Sequence, residues 1–315
     1  MSALISLARS HRVYAMQDVD RVQQRTRGEE PLRYFEKMRE RGEERFLVSP
    51  ASVSAMDSVL ASCPNFGEVV ADVKRNIALT LRSRAGLRLA PILLLGDPGV
   101  GKTHFAKALA KAVGTTHEFI SMNALSAGFV MTGASSTWKG AKPGRVAMSI
   151  IEGMYANPVI VVDELDKAAG DRQSDPMAAI LQLLEPETSA HFHDEYLDLD
   201  VDCSRVLWVM TANDVRGIPD PVLSRLSVYE IGRPDSAQSA QVAQMIYAGI
   251  LSEMQLEFDV ALRDDVLAPL AALAPREMRK ALVEALGMAA EAGRDYLVAT
   301  DLKAREVLKR SIGFH

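Results

Sequence analysis

The chain is poor in cysteine and has no long apolar run and no excess of positive charge. Only Cys63 and Cys203 occur among 315 residues. Two thiols exclude a disulfide framework and offer no zinc-ligand spacing, so both read as buried side chains. No apolar run approaches the ~20 residues of a membrane-spanning helix. The N-terminal Met-Ser-Ala-Leu-Ile-Ser-Leu-Ala-Arg has too short an apolar part for a secretory signal. Lys and Arg number 36 against 41 Asp and Glu, a net charge of −5. That balance leaves no electrostatic footprint for nucleic acid. The expectation is a cytoplasmic protein with no membrane and no nucleic-acid partner. His191-Phe192-His193 suggests a metal pair, but a loop with mixed acids explains it equally well.

What is present is concentrated in one stretch. Gly96-Asp97-Pro98-Gly99-Val100-Gly101-Lys102-Thr103 fits G-x-x-x-x-G-K-[ST]. The apolar run Ile92 to Leu95 enters it, and a helix-patterned run from Phe105 to Val113 leaves it, which is the strand–loop–helix context the motif requires. Glycines remove Cβ atoms, so backbone N–H groups can converge on phosphate oxygens at a helix N-terminus. Lys102 has the reach for β- and γ-phosphates, and the Thr103 hydroxyl suits Mg²⁺. An ordinary Gly-rich turn is the alternative.

Pro158-Val-Ile-Val-Val-Asp163-Glu164 reads as a strand buried on both faces and ending in two carboxylates. Parallel strands open their C-terminal ends onto the ligand crevice, which sends Asp163 and Glu164 to the phosphates. Asp163 is the candidate Mg²⁺ ligand and Glu164 the candidate general base. A solvated acidic turn is the alternative. A third strand pattern, Arg205 to Thr211, ends at Ala212-Asn213, where an amide can orient water or sense a γ-phosphate; alone, Asn213 is a turn residue. Pro221-Val-Leu-Ser-Arg225 reads as a short helix presenting an arginine. A guanidinium stabilises transition-state charge on a γ-phosphate, often from a neighbouring subunit. Taken alone, it is a surface ion-pair residue.

The chain divides into three parts. Residues 1–60 are charged and partly helix-patterned, with Leu32, Phe35, Met38 and Phe46 as a possible apolar stripe. They read as a helical extension packing on the rest, or as a contact for a partner. Residues 61–232 alternate strands and helices, as a doubly wound α/β domain does. Residues 233–315 have almost no strand signal and read as helices, with Gly232-Arg233-Pro234-Asp235 as the hinge.

The order of these motifs resembles that of AAA+ ATPases, and in particular the ATPase module of Lon proteases. The resemblance includes Pro143-Gly144-Arg145, Asp163-Glu164-Leu165-Asp166-Lys167, Asp175-Pro176, Leu184-Glu185-Pro186-Glu187, Thr211-Ala212-Asn213, Ile218-Pro219 and Leu223-Ser224-Arg225-Leu226. It runs from about Asn65 to near the C-terminus. It implies an α/β P-loop domain with a C-terminal helical lid, ATP and Mg²⁺ as ligands, and a homo-hexameric ring acting on protein substrates. It further implies that Phe66 lines the adenine pocket, that Arg225 is a trans-acting finger, and that Arg276 is the lid arginine called sensor 2. Trp138 and Lys139 fall in the loop that grips polypeptide in the central pore, and Asp171-Arg172-Gln173-Ser174 falls at a second pore loop. The family carries an apolar residue where this chain has Lys139. The sequence to His315 supplies no Ser–Lys dyad, so the expectation is a Lon-like ATPase without its own protease, one that can serve a separate protease. Two other functions compete: a nucleotide-switched scaffold that regulates a partner, and a nucleic-acid motor or loader, which the acidic balance disfavours.

Overall fold

The structure is a computed structural model that describes residues 8–26, 29–83, 86–123, 127–168 and 175–302. It has two compact units, 1–232 and 233–315. In chain order the strands are β1 (Ala8–Arg12), β2 (Glu44–Leu47), β3 (Ile92–Leu95), β4 (His117–Ser121), β5 (Val159–Asp163), β6 (Phe192–Asp194), β7 (Leu199–Val201), β8 (Leu207–Ala212) and β9 (Ser227–Glu230).

The first unit is built on a five-stranded sheet in the order β4-β5-β8-β3-β9, with every adjacent pair parallel. Side chains alternate across a strand, so each strand serves two cores. Leu93, Ile160, Val162, Trp208 and Met210 join one cluster, whereas Ile92, Leu94, Val159, Val161, Leu207 and Val209 join another. Helices Gly67–Arg82 and Lys102–Val113 contribute Val73, Ile77, Phe105 and Leu109 to the second cluster. Burial on both faces explains why these strands read as unbroken apolar runs. Order β8-between-β3-and-β5 matters for function. It brings the ends of three separated strands side by side at the sheet's C-terminal edge.

The first sixty residues differ from a simple helical extension. β1 and β2 pair antiparallel, and helices Met16–Arg25 and Glu29–Arg41 lie between them in sequence. Phe35 and Met38 are buried in the first cluster, which also holds Val146, Ile150 and Ile151, each contributing about 1.5–3 kcal/mol by area burial. Phe46, placed on the helical stripe by its sequence, instead sits exposed in β2, because the chain has turned from helix to strand period by Glu44. Arg45 is buried and donates through Nε to Ile150 O (2.9 Å) and through its guanidinium to Ile151 O (2.6 Å). It thereby satisfies carbonyls at the end of helix Arg145–Ile151, where a cation is favoured.

The second unit is helical. Ser236–Met254, Asp264–Leu270 and Pro275–Glu291 enclose a core of Val242, Tyr247, Ile250, Val266, Leu270, Met278, Leu282 and Ala285. Asp235 and Gln238 form a reciprocal capping box on the first of these helices (2.8 and 3.0 Å). Among the described residues no helix is long and apolar enough to cross a membrane.

Candidate nucleotide-binding site

The loop between β3 and helix Lys102–Val113 has the backbone its sequence demands. Gly99 and Gly101 take left-handed φ values of 89° and 104°, a region costly for any residue with a Cβ. Gly96 is required for a different reason. A Cβ there would lie 2.4 Å from the Ile231 carbonyl oxygen, because the chain leaving β9 passes directly over the loop. Lys102 folds its ammonium back into the loop and donates to Gly96 O (2.5 Å), Asp97 O (3.2 Å) and Asn213 Oδ1 (3.0 Å). It is 9% exposed. Burial lowers its pKa from the ordinary lysine value, against the opposing pull of Asp163, Asp166, Asp97 and Glu164. An ammonium drawn from water onto neutral oxygens is a cation poised for an anion of higher charge.

The carboxylates meet this loop from β5. Asp163 Oδ1 accepts from the Thr211 hydroxyl (2.6 Å) and from the Thr103 hydroxyl (3.3 Å), so one oxygen joins β5, β8 and the loop helix. Glu164 has φ 56°, a left-handed conformation rare for a non-glycine residue. Its N–H donates to Thr211 Oγ1 (3.0 Å), and its carboxylate accepts from the Asn123 amide. Such backbone strain persists where surroundings enforce it, and here Thr211 and Asn123 do so. Asn213 is anchored from behind by its N–H to Asp166 Oδ1 (3.4 Å). The donor set fits a polyphosphate with a hard cation: an ammonium, a glycine-lined helix N-terminus, a hydroxyl–carboxylate pair, and a second carboxylate for a proton.

Lys102, Thr103, Asp163, Glu164 and Asn213 are thus brought together as one cluster. Other candidates lie elsewhere. Phe66 is 1% exposed, and its ring stacks on Phe105 at 4.6 Å and 5°, beneath Gly101, so it supports the loop from the core side. Its neighbour Asn65 donates to Val100 O (3.3 Å) and Gly232 O (3.0 Å). Arg225 follows the short helix Asp220–Leu223, and its guanidinium is engaged by Glu185 and by Pro221 O (2.6 Å). Arg276 is exposed on the first turn of Pro275–Glu291 in the second unit. Trp138 is 52% exposed in the loop between helices Ala127–Thr132 and Arg145–Ile151, with an edge contact to Phe129 at 5.4 Å, and Lys139 beside it is exposed. The segment Asp171-Arg172-Gln173-Ser174 lies outside the described residues. His193 pairs with Asp200 (2.9 Å), and no group of metal ligands forms among the described residues.

Asn123 and Asp166 were given no role by sequence reasoning. Asn123 lies two residues past the end of β4, and the strand order that puts β4 next to β5 is what brings it to Glu164. A polar residue just beyond a parallel strand was the one available signal.

Comparison with known proteins agrees with this geometry. The family described as ATPase family associated with various cellular activities (AAA) matches residues 92–233. Lon protease 2 of Sorangium cellulosum is 39% identical over 175 residues, which are 53% of this chain and 22% of that protein. The Lon protease of Halothermothrix orenii is 37% identical over 192 residues, 60% of this chain and 24% of that protein. The chain therefore spans about a fifth to a quarter of the length of these relatives. A closed-state cryo-EM reconstruction of Hsp104 with ATPγS and FITC-casein shares the fold, with a TM-score of 0.61 at 15% identity over 76% of this chain and 48% of that one. The glycine loop, the strand order and the matched segment together identify an AAA domain, and the chain carries a Lon-like AAA+ module.

Proposed function

We propose that this protein binds ATP with Mg²⁺ at residues 96–103, hydrolyses the β–γ phosphoanhydride, and uses turnover to remodel, unfold or thread protein substrates as a homo-hexamer. The observation that carries the chemistry is the convergence of Lys102, Thr103, Asp163, Glu164 and Asn213 at one sheet edge. Thr103 and Asp163 would hold Mg²⁺, which would supply charge neutralisation at the phosphates. Lys102 exchanges its carbonyl partners for β- and γ-phosphate oxygens. Asn213 orients the attacking water, and Glu164 takes its proton as the water oxygen bonds to the γ-phosphorus and the bond to the bridging oxygen breaks. Arg225 stabilises the departing charge of a neighbouring subunit's nucleotide, and Arg276 acts from the lid. Two thiols without a disulfide suit a reducing compartment, so the site of action is the cytoplasm. A separate protease is a fitting recipient of unfolded chains.

The ring is tested by mixing. Arg225→Ala is expected to bind ATP and turn over poorly at every protein concentration, at a cost of about 10³-fold or more for a finger arginine. Wild-type specific activity should rise with protein concentration. Mixed Arg225→Ala and Glu164→Gln subunits should regain turnover, since some interfaces then hold both intact residues. A concentration-independent rate from a monomer would reject the ring.

Threading is tested at Trp138. The exposed indole makes Trp138→Ala cheap in stability, within the roughly 0.5–1.5 kcal/mol of one aromatic pair rather than the 3–5 of a core aromatic. The same variant should abolish stimulation of ATP turnover by unfolded polypeptide. A large fall in melting temperature, or intact stimulation, would remove Trp138 from the substrate path. Lys139 is the one feature favouring a switched scaffold instead, and a wild type that no polypeptide stimulates would support that reading.

A further inference from the structure

Asp194, the last residue of β6, has no part in the nucleotide cluster, yet it is 0% exposed. A carboxylate removed from water in this way must be held by donors. Its Oδ1 accepts from the N–H groups of Tyr196 (3.0 Å) and Leu197 (2.9 Å), which shapes the turn into β7. Its Oδ2 accepts from the Gly144 N–H (2.7 Å), fifty residues away in sequence. Gly144 caps helix Arg145–Ile151 and closes the loop that carries Trp138.

The neck of that loop has no spare room. A Cβ on Gly144 would lie 2.2 Å from Met131 O, and one on Gly133 would lie 3.0 Å from Gly144 N and 3.1 Å from Asp194 Oδ1. Ala134 N–H donates to Lys142 O (3.3 Å) across the neck, and Glu195 N–H donates to Thr132 O (2.9 Å). Beyond the neck, Ser135 to Gly140 is exposed or half-buried, with turn bonds from Trp138 N–H to Ser135 O and from Ala141 N–H to Trp138 O. The loop is therefore rigid at its base and open at its tip, and the carboxylate is the side-chain pin at the base. Burial pushes the Asp194 carboxyl up to about 6, opposed by the N–H groups of Leu197, Gly144 and Tyr196. The charge is thus retained near neutral pH by those three donors.

We propose that Asp194 is a positioning residue for substrate: it locks the Trp138 loop to the β6–β7 hairpin, so that loop and hairpin move as one body. The hairpin runs directly into β8, whose far end carries Thr211 and Asn213. A shift of β8 at the nucleotide is then passed to Trp138 through the hairpin and the Asp194–Gly144 bond. This role rests on the proposal that Trp138 contacts the polypeptide.

The test uses Asp194→Asn in the full chain. The amide oxygen can keep the Tyr196 and Leu197 bonds, whereas the amide nitrogen cannot accept from Gly144. Hydrogen exchange across 134–144 is expected to quicken by about tenfold or more, as for a segment released to local opening. The concentration of unfolded casein that half-saturates the stimulated ATPase should rise by about fivefold or more, while affinity for a fluorescent ATP analogue stays within about twofold; this is a binding-side split that general damage would not give. Unchanged exchange would overturn the tether. Quickened exchange with an unchanged casein response would overturn the positioning role. Intact stimulation in Trp138→Ala would instead remove the substrate reading beneath it. The wild type offers an independent check that needs no variant. Its Gly144 amide should exchange far more slowly than those of Ser136 to Gly140, and equal rates would refute the pin.

Discussion

Glu164→Gln is expected to leave ATP bound and to lower turnover by about 10²–10⁴-fold, the usual contribution of a positioned general base. The substitution is close to isosteric, and the local structure tolerates it. An amide oxygen can still accept from Asn123, the backbone N–H still donates to Thr211, and the left-handed φ of 56° strains glutamine no more than glutamate. Only the capacity to take a proton is lost. Phosphate release measured beside nucleotide affinity checks this. A variant that turned over within threefold of the wild type would show that another group accepts the proton. Because bound nucleotide persists, the same variant should hold protein substrate, and a pull-down with it is the direct route to partners.

Lys102→Ala acts on the other half of the cluster and should abolish nucleotide binding at working concentrations. Lys102 is 9% exposed, and its ammonium is held on Gly96 O, Asp97 O and Asn213 Oδ1. Truncating one member of a desolvated, hydrogen-bonded charge pair costs about 2–5 kcal/mol, or roughly 30- to several-thousand-fold in Kd. The fold should survive, since the side chain ends in the loop rather than in either apolar cluster. Titration with a fluorescent ATP analogue, alongside a melting curve, separates the two effects. An affinity within threefold of the wild type would mean that the loop backbone alone carries the phosphates.

The two variants draw on features of different legibility. The glycine loop is a local code: three glycines, a lysine and a threonine at fixed spacing specify backbone geometry within eight residues, and the flanking runs announce strand and helix. Asp163 and Glu164 were legible for a similar reason, as the end of an unbroken β-branched strand. The helical second unit was legible from its Ala- and Leu-rich runs, and the exposure of Trp138 from the small and polar residues around it.

What escaped the sequence was long-range. Phe66 stacks on Phe105, and nothing near Phe66 in sequence says that Phe105 will cover its face. The N-terminal sixty residues carried helix signals, yet β1 and β2 pair only because the chain returns between them, and Arg45 gains its place from carbonyls about a hundred residues on. Asn123 meets Glu164 only through the β4–β5 neighbourhood, and Asp194 meets Gly144 only across a folded core. The sequence by itself determined which short segments are strand, loop and helix, and which chemistry a phosphate-binding loop and a paired acid can perform. Tertiary structure alone decided which polar groups lost water and who replaced it. Desolvation is a property of the whole packed unit, and no window of sequence contains it.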